Sequence, residues 1–84
     1  MNQERKNELL RRLEVKKTLN VEELIIWLRR KLHFIDQYEE SLKINHIDGQ
    51  RFFELDNRMM KEIGINTIGH RIRMVGVISK YDKY

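Results

Sequence analysis

Apolar residues in this chain come in short clusters three or four positions apart, separated by polar turns and single glycines. Leu24, Trp27 or Leu28, and Leu32 recur at that spacing, which predicts a first helix with one side against a core. Just ahead of it, Asn20 can accept from the backbone of Glu23 while the Glu23 side chain reaches back, a capping box. Arg29, Arg30 and Lys31 close the run, where cations suit the negative end of the helix dipole. Trp27 is expected to anchor the core.

His33-Phe34-Ile35 then reads as a connection. Asp36 is expected to cap a second, short helix with Tyr38 and Leu42 inward and Glu39 and Glu40 outward. Asn45 to Gly49 is a turn holding a buried Ile47, and a very short third helix carries Phe52 and Phe53 and ends at Leu55. Asp56 caps a fourth helix with Met59, Met60 and Ile63 inward. Gly64 follows it at the position where a left-handed backbone costs glycine little. Ile65 re-enters the core. Asn66 or Thr67 caps the fifth and longest helix, running through Ile68, Ile72, Val75 and Ile78 towards Tyr81. The fold class expected is all-α: a small five-helix bundle over residues 19–84 with a long C-terminal helix.

Residues 1–18 form a basic N-terminal extension. Leu9, Leu10 and Leu13 fall at helical spacing, and Arg5, Lys6, Arg11, Arg12, Lys16 and Lys17 cover the other faces. This stretch is expected to be a packed or frayed extra helix. The alternatives are a basic helix meeting RNA or an acidic membrane surface, and a weakly self-pairing helix.

Composition narrows the picture. At 84 residues and 40% hydrophobic content the chain has material for one small core, and a domain of this size is only modestly stable. It has no proline and only 4 glycines, which favours helix over sheet, and no cysteine, which excludes disulfides and thiolate metal sites. No apolar run reaches the ~20 residues of a membrane span, and no signal-peptide stretch opens the chain. A soluble intracellular protein is expected, cytoplasmic or nuclear.

The formal charge of +4 matters less than its layout. Residues 1–20 carry six basic and three acidic side chains, and residues 21–35 three and two. Residues 36–62 carry four basic against seven acidic side chains, and residues 63–84 four against one. Beyond residue 20 the chain is nearly neutral yet polarised, with an acidic middle and a basic end. Such polarity suits a two-faced association module better than a general polyanion binder.

No constellation points to catalysis, a metal or a cofactor. His33, His46 and His70 lack the spacing and acidic companions of a zinc or hydrolase site, and each reads as a surface or turn residue. Gly64 and Gly69 lack the Lys-Ser/Thr of a phosphate-binding loop. The carboxylates of the middle do not follow the spacing of a calcium loop. What remains is surface. The first turn of helix five combines unpaired backbone N–H groups and a positive dipole end with His70, Arg71 and Arg73, and attracts anions, carboxylates of a partner included.

One ordered set of residues resembles a known family. Leu24, Trp27-Leu28, Tyr38, Leu42, Ile47-Asp48-Gly49, Phe52-Phe53-Glu54-Leu55, Met60 to Ile65, Gly69-His70-Arg71 and Met74-Val75 with Ile78 are similar to a sterile alpha motif (SAM) domain over roughly residues 19–82. The resemblance implies a five-helix bundle without catalytic activity or cofactor. It also implies association with another SAM domain, self or heterologous, in which the start of helix five docks on the acidic middle of the partner. Mapped here, the first surface would be Ile68, Gly69, His70, Arg71 and Arg73. The second would draw on Asp36, Glu39, Glu40, Asp48, Glu54 and Asp56. Two features depart from the pattern. The span from Trp27 to Tyr38 is longer than usual, and Ile72 stands where a polar residue is common, as extra core or as an apolar anchor. Some SAM domains resemble hairpin-RNA readers, and Arg29, Arg30, Lys31, Arg71, Arg73 and the basic N-terminus would supply the surface for that alternative.

Overall fold

A computed structural model describes residues 17–82. Among these, five helices follow one another: α1 (Val21–Arg29), α2 (Glu39–Ile44), α3 (Gly49–Phe52), α4 (Asn57–Glu62) and α5 (Ile68–Tyr81). A 3-10 turn, Ile35–Tyr38, leads into α2, and no strand occurs among the described residues. The basic extension lies outside the described residues except for Lys17 and Thr18, which are helical.

Local chemistry explains most boundaries. Asn20 accepts from the Glu23 N–H at 2.8 Å and the Glu23 carboxylate accepts from the Asn20 N–H at 2.9 Å, so the predicted capping box opens α1. Asp48 and Asp56 cap α3 and α4 by accepting from the Arg51 and Met59 N–H groups. Gly64 sits just past α4 at φ 97°, which is the left-handed region expected there. Two capping expectations do not hold. Asp36 caps nothing: it lies inside the 3-10 turn and pairs with Arg29 instead. Thr67 is the residue before α5, but its side chain makes no capping bond. His46, at φ 53°, is a left-handed non-glycine residue in the turn ahead of Ile47.

One hydrophobic core joins all five helices. Leu24, Ile25 and Leu28 come from α1, Leu42 from α2, Phe52 from α3, Met60 from α4, and Met74 and Val77 from α5. The connections supply Leu32, Phe34, Ile35, Ile47, Phe53, Leu55 and Ile65. Fully burying one such side chain contributes roughly 1.5–3 kcal/mol. The Ser41 hydroxyl donates to the Ile63 carbonyl and so ties α2 to the end of α4. Trp27 is half-buried, 6.1 Å from Phe53 and edge-on to Tyr81 at 5.3 Å between ring centroids.

The longest helix buries Arg71, Met74 and Val77. Of the apolar run expected along it, Ile68, which the resemblance places on the docking surface, and Ile72, open between core and anchor, are exposed at 66% and 65%, and Val75 at 41%. Only Ile78 of that expected stripe packs against the core. Met59, expected inward on α4, is likewise exposed.

Candidate functional site

The start of α5 divides into residues that hold the fold and residues that face outward. Arg71 belongs to the first group, with 8% of its surface exposed. Its Nε donates to Asn57 Oδ1 at 2.8 Å and its Nη1 to the Ile65 carbonyl at 2.7 Å. These bonds tie α5 to the start of α4 and to the link between the two helices. A guanidinium so placed is a strut, and little of it is left for a partner to touch.

His70 is also engaged. Its ring stacks on Phe34 at 3.8 Å and 8° between planes, and its Nδ1 shares a 2.6 Å hydrogen bond with the Tyr38 hydroxyl. This half-buried contact fastens α5 to the longer link between α1 and α2. The expectation of a plain surface histidine therefore gives way to a packed one, because Phe34 and Tyr38 arrive beside it from over thirty residues upstream.

The outward group is Ile68, Gly69, Ile72 and Arg73. Ile68 and Ile72 are one turn apart on one side of the helix, and Arg73 has no ion-pair partner among the described residues. Together they form an apolar ridge flanked by a cation. An added Cβ at Gly69 would meet nothing within 4 Å, so the backbone there is open to approach.

The acidic middle is less bare than its charge count implies. Arg29 bonds Asp36 Oδ1 at 2.7 Å and Glu39 Oε1 at 2.8 Å, and Lys43 bonds Glu39 Oε2 at 2.9 Å. The Lys43 hydrogen bond, reinforced by Arg29, holds the Glu39 carboxyl below its ordinary range. Asp48 is likewise depressed, first by the hydrogen bond from the Arg51 backbone and then by the Arg51 charge, whose Nη1 lies 3.2 Å away. Asp56 is committed to its cap. Glu40 and Glu54 are exposed and have no ion-pair partner among the described residues. They are the acids of the expected set with most charge left to offer.

Of the cations grouped for RNA, Arg29 and Arg71 are spent internally. Arg30, Lys31 and Arg73 do converge, and Lys80 joins them from the far half of α5. The sequence reading missed Lys80. The signal was available: Arg73 and Lys80 are seven residues apart, two turns along the same side of one helix. Among the described residues, no group of three or more His, Cys, Asp or Glu side chains is placed to hold a metal ion, and no helix is long and apolar enough to cross a membrane.

Comparison with known proteins agrees with this architecture. A family model described as "SAM-like domain" matches residues 2–80. Among curated proteins, the mitogen-activated protein kinase kinase kinase MST11 of Pyricularia oryzae is 39% identical over 44 residues, which is 52% of this chain and 5% of that protein. No solved structure matches.

Proposed function

Because the chain belongs to the SAM-like domain family, we propose that it is a non-catalytic protein-interaction module that joins a second SAM domain, its own copy or another chain's, head to tail. The start of α5 is the head, and the acidic middle, chiefly Glu40 and Glu54, is the tail. The observation that carries this reading is the pair Ile68 and Ile72, 66% and 65% exposed at one-turn spacing, beside Arg73, which has no ion-pair partner among the described residues. Apolar side chains that the bundle leaves in water are stabilised by covering them, and a flanking cation sets orientation and encounter rate against an acidic partner. The packed Arg71 and His70 support the same reading by holding the α5 start rigid. Placement in a cytoplasmic or nuclear signalling or scaffold protein is part of the proposal, and the similarity to a kinase kinase kinase supports it.

A head-to-tail contact uses two different patches, so each copy keeps one of each and association can propagate. This gives a direct test by sedimentation velocity. Ile72→Asp blocks the head, and Glu40→Lys with Glu54→Lys blocks the tail. Each variant alone should be monomeric, while an equimolar mixture should form a closed dimer through the one intact head and one intact tail. A mixture that stays monomeric while the native chain associates would reject this pairing of surfaces.

A further inference from the structure

Beyond the α5 start, the molecule has a second outward feature, which shares Arg73 and Ile72 with the proposed head but extends away from it along α5. A groove of about 470 Å³ runs along the seam between the end of α1 and the second half of α5. Arg30, Lys31, Arg73 and Lys80 line it over an apolar floor of Leu32 and Val77. None of the four cations has an ion-pair partner among the described residues, and no acidic side chain lines the groove. Four like charges brought to one seam repel one another and lower the stability of the bundle unless something anionic lies between them.

We infer that this seam is a second docking surface, whose occupant is an acidic amphipathic helix of a partner protein. The charge sets the sign of the occupant. The neighbouring surface sets its shape. Ile72 and Val75, exposed at 65% and 41%, run along α5 beside the groove, parallel to the line from Arg73 to Lys80. Gly76 lies between the two lines, lines the groove itself, and has nothing within 4 Å of an added Cβ. A helix laid alongside can put carboxylates into the groove and apolar residues over Gly76 onto Ile72 and Val75, a helix-on-helix mode read at i, i+3 and i+4 spacing.

The same observations disfavour a nucleic acid. Single-stranded bases need aromatic faces to stack on, and the ring at this groove, Tyr81, already has Lys31 and Lys80 at 5.0 and 5.4 Å from its centroid and Trp27 against its edge. Phosphates have no use for the apolar edge of α5.

Trp27 is the single tryptophan and lies 5.4 Å from Lys31 Nζ, so its emission reports on the groove. The probe is a synthetic helical peptide with leucines at i, i+3 and i+7, glutamates along one flank and no aromatic residue. Saturable change in Trp27 emission is expected at ~0.15 M salt, weaker at higher salt. Arg30→Glu with Lys80→Glu should weaken binding by ~10-fold or more, and the neutral pair Arg30→Gln with Lys80→Gln by less. Ile68→Asp, which disables the α5 start, should bind the peptide as well as the native chain does, so failure of the head-to-tail reading leaves this result untouched. Unchanged binding by the charge-reversed pair with an unchanged melting curve would overturn the inference. So would equal binding of a peptide with the same residues scrambled, or tighter binding of a hairpin RNA or of anionic vesicles.

Discussion

Arg71 Nε and Asn57 Oδ1 lie 2.8 Å apart, so the first turn of α5 is bolted to the first turn of α4 by a buried cation that has a neutral partner. Among the described residues no carboxylate forms an ion pair with it. The amide of Asn57 and the carbonyl of Ile65 do the solvating instead. Among the described residues no buried side-chain nitrogen or oxygen is left without a partner.

Truncating this strut should therefore unfold rather than unhook. Arg71→Met leaves the buried Ile65 carbonyl short of a donor, at a cost of about 1–3 kcal/mol, while the exposed Asn57 amide can turn to water. The expected outcome is a drop in melting temperature measured by circular dichroism. Arg71→Glu should be worse, since it sets an anion against two acceptors.

Arg73→Glu, two residues on, should do the reverse. Its side chain is exposed and has no ion-pair partner among the described residues, so the melting curve should stay within ~0.5 kcal/mol of native. Self-association or binding to a SAM partner should weaken by roughly tenfold and lose its salt dependence. Titration at two ionic strengths distinguishes this from a general loss of fold.

Two glycines should answer differently to alanine. Gly64 has open space around it but a φ of 97°, so Gly64→Ala should cost about 1–2 kcal/mol for the left-handed backbone alone. Gly76 sits inside α5 with no steric demand, so Gly76→Ala should stabilise by about 0.5–1 kcal/mol through helix propensity. Urea titrations of both variants check the opposite signs.

Acid should loosen the middle of the bundle before the rest. Glu39 and Asp48 have folded-state values held below their ordinary ones, by Lys43 and by the Arg51 backbone respectively. A depressed carboxyl contributes stability that is present above its unfolded value, near pH ~4. That contribution is lost as pH falls through the lower folded value. Melting temperature should thus fall below about pH 4, and Lys43→Gln should flatten part of that fall.

The placement of residues along the chain was legible where the physics is local. Asn20 with Glu23, Asp56 with Met59 and Gly64 after α4 each act within three residues, so composition at fixed offsets was enough. The core of α1 was legible for the same reason, through Leu24 and Leu28 on one side of the helix. Asp36 was misjudged because its alternatives were both local in sequence, a cap or a pair, and only the position of Arg29 in space favours the pair.

The sequence by itself determined an all-helical bundle of the SAM kind, its turns, and a charge layout with an acidic middle and a basic end. The tertiary structure alone decided which side of α5 faces water. That helix carries two apolar stripes of equal period, Ile68-Ile72-Val75 and Met74-Val77-Ile78-Tyr81, and periodicity cannot choose between them. The choice falls to shape. Met74 and Val77 join the one core that also holds Phe52, Leu24 and Met60, with Arg71 reaching Asn57 and the Ile65 carbonyl from the same helix. Burying one stripe on a core this small leaves the other exposed, and that leftover stripe, with the cations beside it, is the surface we propose for docking.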